Sequence, residues 1–154
     1  MGFGGSAAAA ILLVAAVASV GMLYTTTYNG YEQIQGAMMA EEEGDLKMLN
    51  TAVEIVNVTH NTTASPETVS VTVRNAGSSA LSVADTDLLL NGTYQDDVTY
   101  TISTADGTIA AGSGGTALWL PAENLTITAE ATLSEPITVK VVTGPGVAVT
   151  EVYP

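Results

Sequence analysis

Few residues in this sequence have side chains that could do catalytic chemistry. His60 is the only histidine and cysteine is absent, so a histidine pair, a thiolate metal site and a disulfide are all excluded. A Ser–His–Asp triad would have to use His60. That residue lies in the first predicted turn of the second half, with no acid beside it and no nucleophile motif. We therefore expect no enzymatic activity and no cofactor.

One local cluster of acids in the second half of the chain could attract a cation. Its members are Asp85, Asp87, Asp96 and Asp97. A hard cation such as Ca²⁺ needs about six oxygen ligands, and Asp85–Thr86–Asp87 supplies only part of a calcium loop. We interpret these aspartates as solvated turn residues and assign no metal site.

Four Asn-x-Thr sequons suggest a modified, exterior domain. In such a sequon the asparagine amide is the acceptor for an N-linked glycan. Asn91 precedes Gly92, and its position is equally explained by its tolerance of positive φ in a tight turn. The predicted glycosylation sites are Asn57, Asn61, Asn91 and Asn124.

The excess of acidic over basic residues excludes one class of binding partner. The 154 residues include 16 acidic and 3 basic side chains, for a net charge of −13, so a nucleic-acid surface is excluded. All the acids lie from Glu32 onward. Such a surface suits high salt, where the Debye length falls to roughly 3 Å at 1 M. The sequence therefore predicts a halophilic protein, the alternative being an ordinary acidic secreted domain.

The first 31 residues carry no charged side chain, and their composition indicates a membrane anchor. Ala7–Leu23 is an unbroken run of apolar or small residues, and a helix of about 20 residues spans a bilayer. We predict a transmembrane helix over about residues 5–24, with residues 7–23 in lipid. A cleaved signal peptide is the alternative, but no Lys or Arg precedes the run. Because the sequons follow the helix, we expect the N-terminus inside the cell and the second half outside.

The helix is predicted to continue as a stalk to about residue 50. Large apolar residues recur at helical spacing beyond the anchor. The first three are tyrosines, which are typical of the aromatic belt at a membrane–water interface. This spacing favours packing against another chain, including a second copy, over packing on the chain's own second half. The residues are Tyr24, Tyr28, Tyr31, Ile34, Met38, Leu46 and Leu49.

Residues 51–154 change to a strand pattern. Short segments rich in Val, Ile, Thr and Tyr alternate with turn signals such as Asn75–Ala76–Gly77, Asn91–Gly92, Asp106–Gly107 and Gly144–Pro145–Gly146. With no helix between them, they predict an all-β Ig-like antiparallel sandwich. The predicted strands are Ala52–Thr59, Thr68–Arg74, Ala80–Val83, Leu88–Leu90, Val98–Ser103, Thr116–Leu120, Leu125–Leu133, Ile137–Thr143 and Val147–Tyr153.

An apolar helix, an acidic stalk and a small β-sandwich are the plan of archaeal type IV pilin-like proteins. The stretches Met1–Gly4, Asn50–Thr59, Val73–Val83, Asp85–Gly92, Leu118–Pro121 and Val139–Thr143 resemble the haloarchaeal FlaF (ArlF) family in their order and spacing. That resemblance implies a membrane-anchored archaellum component. It also implies two kinds of partner: other archaellum components, and the S-layer protein, which a FlaF-type protein binds so that the motor is anchored against the cell envelope.

The alternative is an archaellin or pilin-like filament subunit. Such subunits carry a basic leader that ends in Lys/Arg–Gly before the hydrophobic helix. Here no basic residue precedes the helix, and Gly2 follows Met1 directly. This difference from the leader of a filament subunit favours the accessory anchor over the filament subunit, unless the sequence is that of an already matured chain.

Overall fold

The computed structural model describes residues 3–104, 107–111 and 116–154, without the Phe3 side chain. Asp106 of one predicted turn and Met1–Gly2 lie outside the described residues. The chain divides into two compact units, Met1–Glu43 and Gly44–Pro154.

The helix α1 runs from Phe3 to Leu49. Its 47 residues correspond to about 70 Å at 1.5 Å per residue. Alanine is the most frequent residue of the first half, and alanine is the best helix former. The predicted helix is therefore confirmed as one continuous element.

The described residues after α1 form eleven strands, and all of the strand pairs in the three sheets are antiparallel. Helix plus antiparallel β-sandwich is the predicted fold class, which is confirmed. The strands are β1 (Val53–Asn61), β2 (Thr68–Asn75), β3 (Leu81–Ser82), β4 (Asp87–Leu90), β5 (Thr93–Gln95), β6 (Val98–Thr104), β7 (Gly107–Ala111), β8 (Leu118–Trp119), β9 (Asn124–Glu130), β10 (Ile137–Val142) and β11 (Ala148–Tyr153).

The strands form two main sheets and a short ribbon. Sheet 1 has the order β1-β2-β9-β6-β7, sheet 2 has the order β11-β10-β4-β5, and β3 pairs with β8. A β-bulge between Ile55 and Asn57 places Val56 outside the regular register of β1. The order brings β2 beside β9, which follows it about fifty residues later in the chain.

The alternating residues of both sheets form one core. In β2, Val69, Val71 and Val73 are fully buried, as their alternation with polar residues predicts. In sheet 2, Val139 and Val141 are also fully buried, whereas Lys140 between them is exposed. Trp119 is buried as well, and its indole Nε1 donates a hydrogen bond to the Glu123 carbonyl over 2.9 Å.

Two strands, β5 and β7, are not predicted by the sequence pattern. β5 has three residues, and its first two, Thr93 and Tyr94, are exposed, so it carries no buried alternation. β7 pairs with β6 at the edge of sheet 1, and four of the five residues of β7 are exposed. Edge strands with little buried surface have no periodic apolar signal, and only their pairing defines them.

Candidate assembly surfaces

The first candidate surface is α1 itself. The large apolar side chains that its spacing singles out are exposed, among them Tyr24 at 69%, Ile34 at 61% and Met38 at 64%. Leu46 and Leu49 near its end are also exposed. An apolar surface this long requires lipid or protein to cover it. Gly4–Leu49 is the one helix among the described residues that is long and apolar enough to cross a membrane.

Four hydroxyl side chains near the middle of α1 donate to backbone carbonyls of the same helix. The hydroxyls of Ser19, Thr26 and Thr27 donate to the carbonyls four residues earlier, over 2.8–2.9 Å. Thr25 donates to the carbonyl of Met22 over 3.0 Å. In an apolar environment a hydroxyl needs such a partner, because water is not available. The helix is thus compatible with lipid or with a dry helical core.

The tyrosines of α1 are ordered on its surface. The rings of Tyr24 and Tyr28 stack with centroids 6.2 Å apart and an interplanar angle of 19°. One turn further on, Gln35 Nε2 donates to the Tyr31 hydroxyl over 2.6 Å. These contacts reduce the freedom of large side chains before any partner binds, and preorganisation lowers the entropic cost of packing.

The end of α1 is held by a tight contact within the second unit. Ser78 N donates to the Asn50 carbonyl over 3.0 Å, and Ala76 N donates to the Ala52 carbonyl over 2.8 Å. Asn75 is fully buried beneath this contact. Its Nδ2 donates to the Ser79 and Trp119 carbonyls over 2.9 and 3.3 Å, and its Oδ1 accepts from Gly77 N over 3.1 Å. This hydrogen-bond network fixes the turn around Gly77, which contacts the residues that follow α1.

The four sequon asparagines lie in different environments. Asn57 and Asn61 are exposed on the edge strand β1. The Oδ1 of Asn61 accepts from both Thr63 N, over 3.1 Å, and Thr63 Oγ1, over 2.8 Å. Asn91 is exposed with φ of 50°, followed by Gly92 at 81°, which confirms the predicted two-residue turn. Asn124 is half-buried in β9, which is paired on both sides, and its Oδ1 is buried without a partner.

The prediction that His60 lies in a turn is wrong, because β1 continues to Asn61. His60 lies in β1, and its side chain is only 1% exposed. Its Nδ1 lies 3.3 Å from Glu135 Oε1, and its Nε2 lies 3.6 Å from Glu67 Oε2. Glu135 is 75 residues away in sequence, so no local signal could have indicated this pair.

The four aspartates of the acidic cluster flank one end of the β4–β5 hairpin, where Leu88 pairs with Gln95. Asp85 is exposed before β4, Asp87 begins β4, and Asp96 and Asp97 are exposed between β5 and β6. Among the residues that the structure describes, no three His, Asp or Glu side chains converge as metal ligands do.

The fold and the exposed surfaces define the class of this protein. It is a β-sandwich protein with an exposed apolar helix that is long enough to span a membrane. A model of the archaeal-type flagellin family matches residues 2–151, so this chain belongs to the archaeal-type flagellin family. No curated protein and no solved structure matches the chain. The family is structural and non-enzymatic, and membership makes this chain an archaellum component that functions in motility and associates with other archaellum components.

Proposed function

We propose that this chain is a structural subunit of the archaellum filament. Its α1 packs among the α1 helices of other copies, and its β-sandwich faces outward. The observation that carries this proposal is the exposed apolar surface of α1, which extends from Ile11 to Leu49. A bilayer covers about 30 Å of a helix that is about 70 Å long. The remaining length, with Met38 and Met39 on it, needs protein neighbours.

The extent of the family match supports the same proposal. It includes α1 and nearly the whole β-sandwich, so the two units belong to one family pattern. In a filament of this kind, identical copies repeat a head-to-tail contact that does not close. Every copy then buries the same apolar helix surface against its neighbours.

The second candidate function is an accessory anchor of the FlaF type, which binds the S-layer through the β-sandwich. The second half of α1 favours it, because that half carries five acids and one lysine, and its acids are exposed. Burying a carboxylate away from water costs several kcal/mol unless it is paired, in order-of-magnitude terms. A solvated stalk avoids that cost. The acids are Glu32, Glu41, Glu42, Glu43 and Asp45.

Both candidates imply the same topology. We infer that residues 7–23 lie in the cell membrane before assembly, with the N-terminus inside and the β-sandwich outside. The sequons at Asn57 and Asn61 then face the compartment where exterior proteins carry glycans. The halophilic character inferred from the net charge belongs to this proposal as well.

Cell fractionation separates the two functions. Archaella are sheared from cells, washed, and analysed by quantitative mass spectrometry beside the membrane and envelope fraction. As a filament subunit, the chain is a major component of the washed filaments. Recovery in the membrane and envelope fraction alone, together with binding to isolated S-layer, overturns the filament proposal in favour of the anchor.

A pair of variants on α1 tests the packing directly. Ile34→Glu places a charge on the exposed apolar surface, so filaments that contain the chain should fall at least ten-fold while the chain persists in membranes. Ile34→Leu is the matched control, because it conserves volume and apolar character. Normal amounts of filament with Ile34→Glu would show that this surface is not buried between subunits.

A further inference from the structure

The outer faces of the two sheets of the β-sandwich differ in character. The outer face of sheet 1 is polar along β2, β9 and β6. Its hydroxyls bond to one another, as in the Ser70–Thr128 pair at 3.0 Å and the Thr72–Thr126 pair at 3.1 Å. The sequon asparagines Asn57, Asn61 and Asn124 occupy outward register positions on this sheet. This face is suited to water and, at the exposed Asn57 and Asn61, to glycans.

The outer face of sheet 2 carries one cation, Lys140, among apolar and hydroxyl side chains and one carboxylate, Asp87. The register aligns Thr150, Lys140, Leu89 and Tyr94 in a row across the four strands. Tyr94 is 57% exposed, and Val152, opposite Thr138 on the next outward row, is 58% exposed. The remaining outward positions are Asp87, Val142 and Ala148. We call these nine residues the sheet 2 face.

Lys140 is in an unusual electrostatic position. Residues 51–154 contain eleven acidic side chains and only two basic ones, Arg74 and Lys140. Arg74 Nη1 lies 3.3 Å from Glu54 Oε1 on the same copy. Lys140 is exposed and forms no ion pair with any residue that the structure describes. A cation whose cross-strand neighbours, Thr150 and Leu89, carry no charge is complementary to a carboxylate from outside.

We propose that the sheet 2 face binds the β-sandwich of a second copy of this chain, with Lys140 paired to one of its carboxylates. This inference rests on the proposed filament function. Charge complementarity identifies the occupant, because each copy offers eleven carboxylates to the unpaired Lys140 of its neighbour. The contact is heterologous. In a two-fold symmetric contact through this face, the two Lys140 side chains would approach each other and repel.

The size of the sheet 2 face explains why the contact belongs to an assembly. Four strands spaced about 4.8 Å apart and three outward rows cover about 300 Å². A stable interface between free proteins buries about 800 Å² per partner, so this face alone does not hold a dimer together. When α1 already holds the copies side by side, the effective concentration is high, and a small contact suffices.

Zero-length cross-linking of assembled full-length protein tests the pairing. A carbodiimide joins a lysine amine to a carboxylate in direct contact. Filaments of the wild type should give a cross-linked dimer in which mass spectrometry finds Lys140 joined to an Asp or Glu of another copy. Lys140→Arg keeps the charge but not the reactive amine, so filaments should form and this cross-link should disappear.

Two further variants provide a control and a second test of the contact between copies. Arg74→Lys places an amine on the opposite face beside Glu54, and it should give a cross-link within one copy but no dimer. Lys140→Glu should shorten filaments at least three-fold at an unchanged level of membrane-bound chain. Filaments of normal length with Lys140→Glu, or dimers that never include Lys140, would overturn the inference.

The inference and the filament function fail in different ways. Absence of the chain from washed filaments overturns the filament function. The same cross-linking, performed then on cell envelopes, still reports whether Lys140 contacts another copy. A Lys140 cross-link only to a different protein overturns the inference and identifies the accessory role instead.

Discussion

A β carbon placed on Gly77 would lie 2.5 Å from the carbonyl oxygen of Asn50. The same atom would lie 2.6 Å from Ala52 N, so backbone from the helix end blocks it on two sides. Real β carbons do not approach backbone atoms so closely. The contact between the end of α1 and the β2–β3 connection therefore requires glycine at position 77.

Gly77→Ala should destabilise the second unit by about 1–3 kcal/mol, because an overpacked site must shift its backbone. The fluorescence of Trp119, the single tryptophan, reports the unfolding of the β-sandwich on heating. Gly44→Ala is the matched control: its β carbon would meet nothing within 4 Å, and alanine favours a helix by about 0.5–1 kcal/mol. Equal melting temperatures for Gly77→Ala and the wild type would contradict the proposed role of the close approach.

Stability at alkaline pH should depend on Tyr100. Burial, together with nearby Tyr94 and Asp87, raises the pKa of the Tyr100 phenol, whose hydroxyl donates to the Thr86 carbonyl over 2.9 Å. The folded chain thus binds this proton more tightly than the unfolded chain. The contribution to the free energy of unfolding is complete below pH about 10 and is lost as the pH rises further.

Denaturant titrations from pH 8 to 11 measure this dependence. Tyr100→Phe should show a smaller loss of stability above pH 10 than the wild type. Tyr153→Phe, which changes another tyrosine packed against the core, is the control and should retain the wild-type slope. Identical slopes for the wild type and Tyr100→Phe would exclude Tyr100 as the source.

Glycan occupancy should differ between sequons. Asn61 is exposed at the end of an edge strand, whereas Asn124 is half-buried in a strand that is paired on both sides. We expect glycopeptide mass spectrometry of the native protein to find glycan at Asn61 and none at Asn124. Asn61→Gln should remove the modification without changing the melting temperature. Glycan found at Asn124 would contradict the burial argument.

Stability should rise with salt. With 16 acidic and 3 basic residues, the chain repels itself when screening is weak. The Debye length falls from about 30 Å at 0.01 M to about 3 Å at 1 M salt. The Trp119 melting transition of the full chain in nonionic detergent should therefore lie higher in 2 M than in 50 mM NaCl. A transition that does not move over this range would contradict the halophilic interpretation.

The sequence by itself determined the helix and most of the strands, because their signals are local. The uncharged run to Tyr31 predicts α1, and the alternation of Val69, Val71 and Val73 with polar residues predicts β2 and its buried side. Asn91–Gly92 specifies a hairpin turn through its tolerance of positive φ, which the structure confirms. Each of these features depends on neighbours within a few residues.

Only the tertiary structure decided which distant residues meet. The strand order places β2 beside β9, Glu67 and Glu135 beside His60, and the Gly77 turn against Asn50. The same order sets Lys140 between Leu89 and Thr150 on an outer face. Periodicity assigns a residue to a side of its own strand, but it does not specify the neighbouring strand. Those neighbours follow from burying both sheets in one core, which is a property of the whole chain.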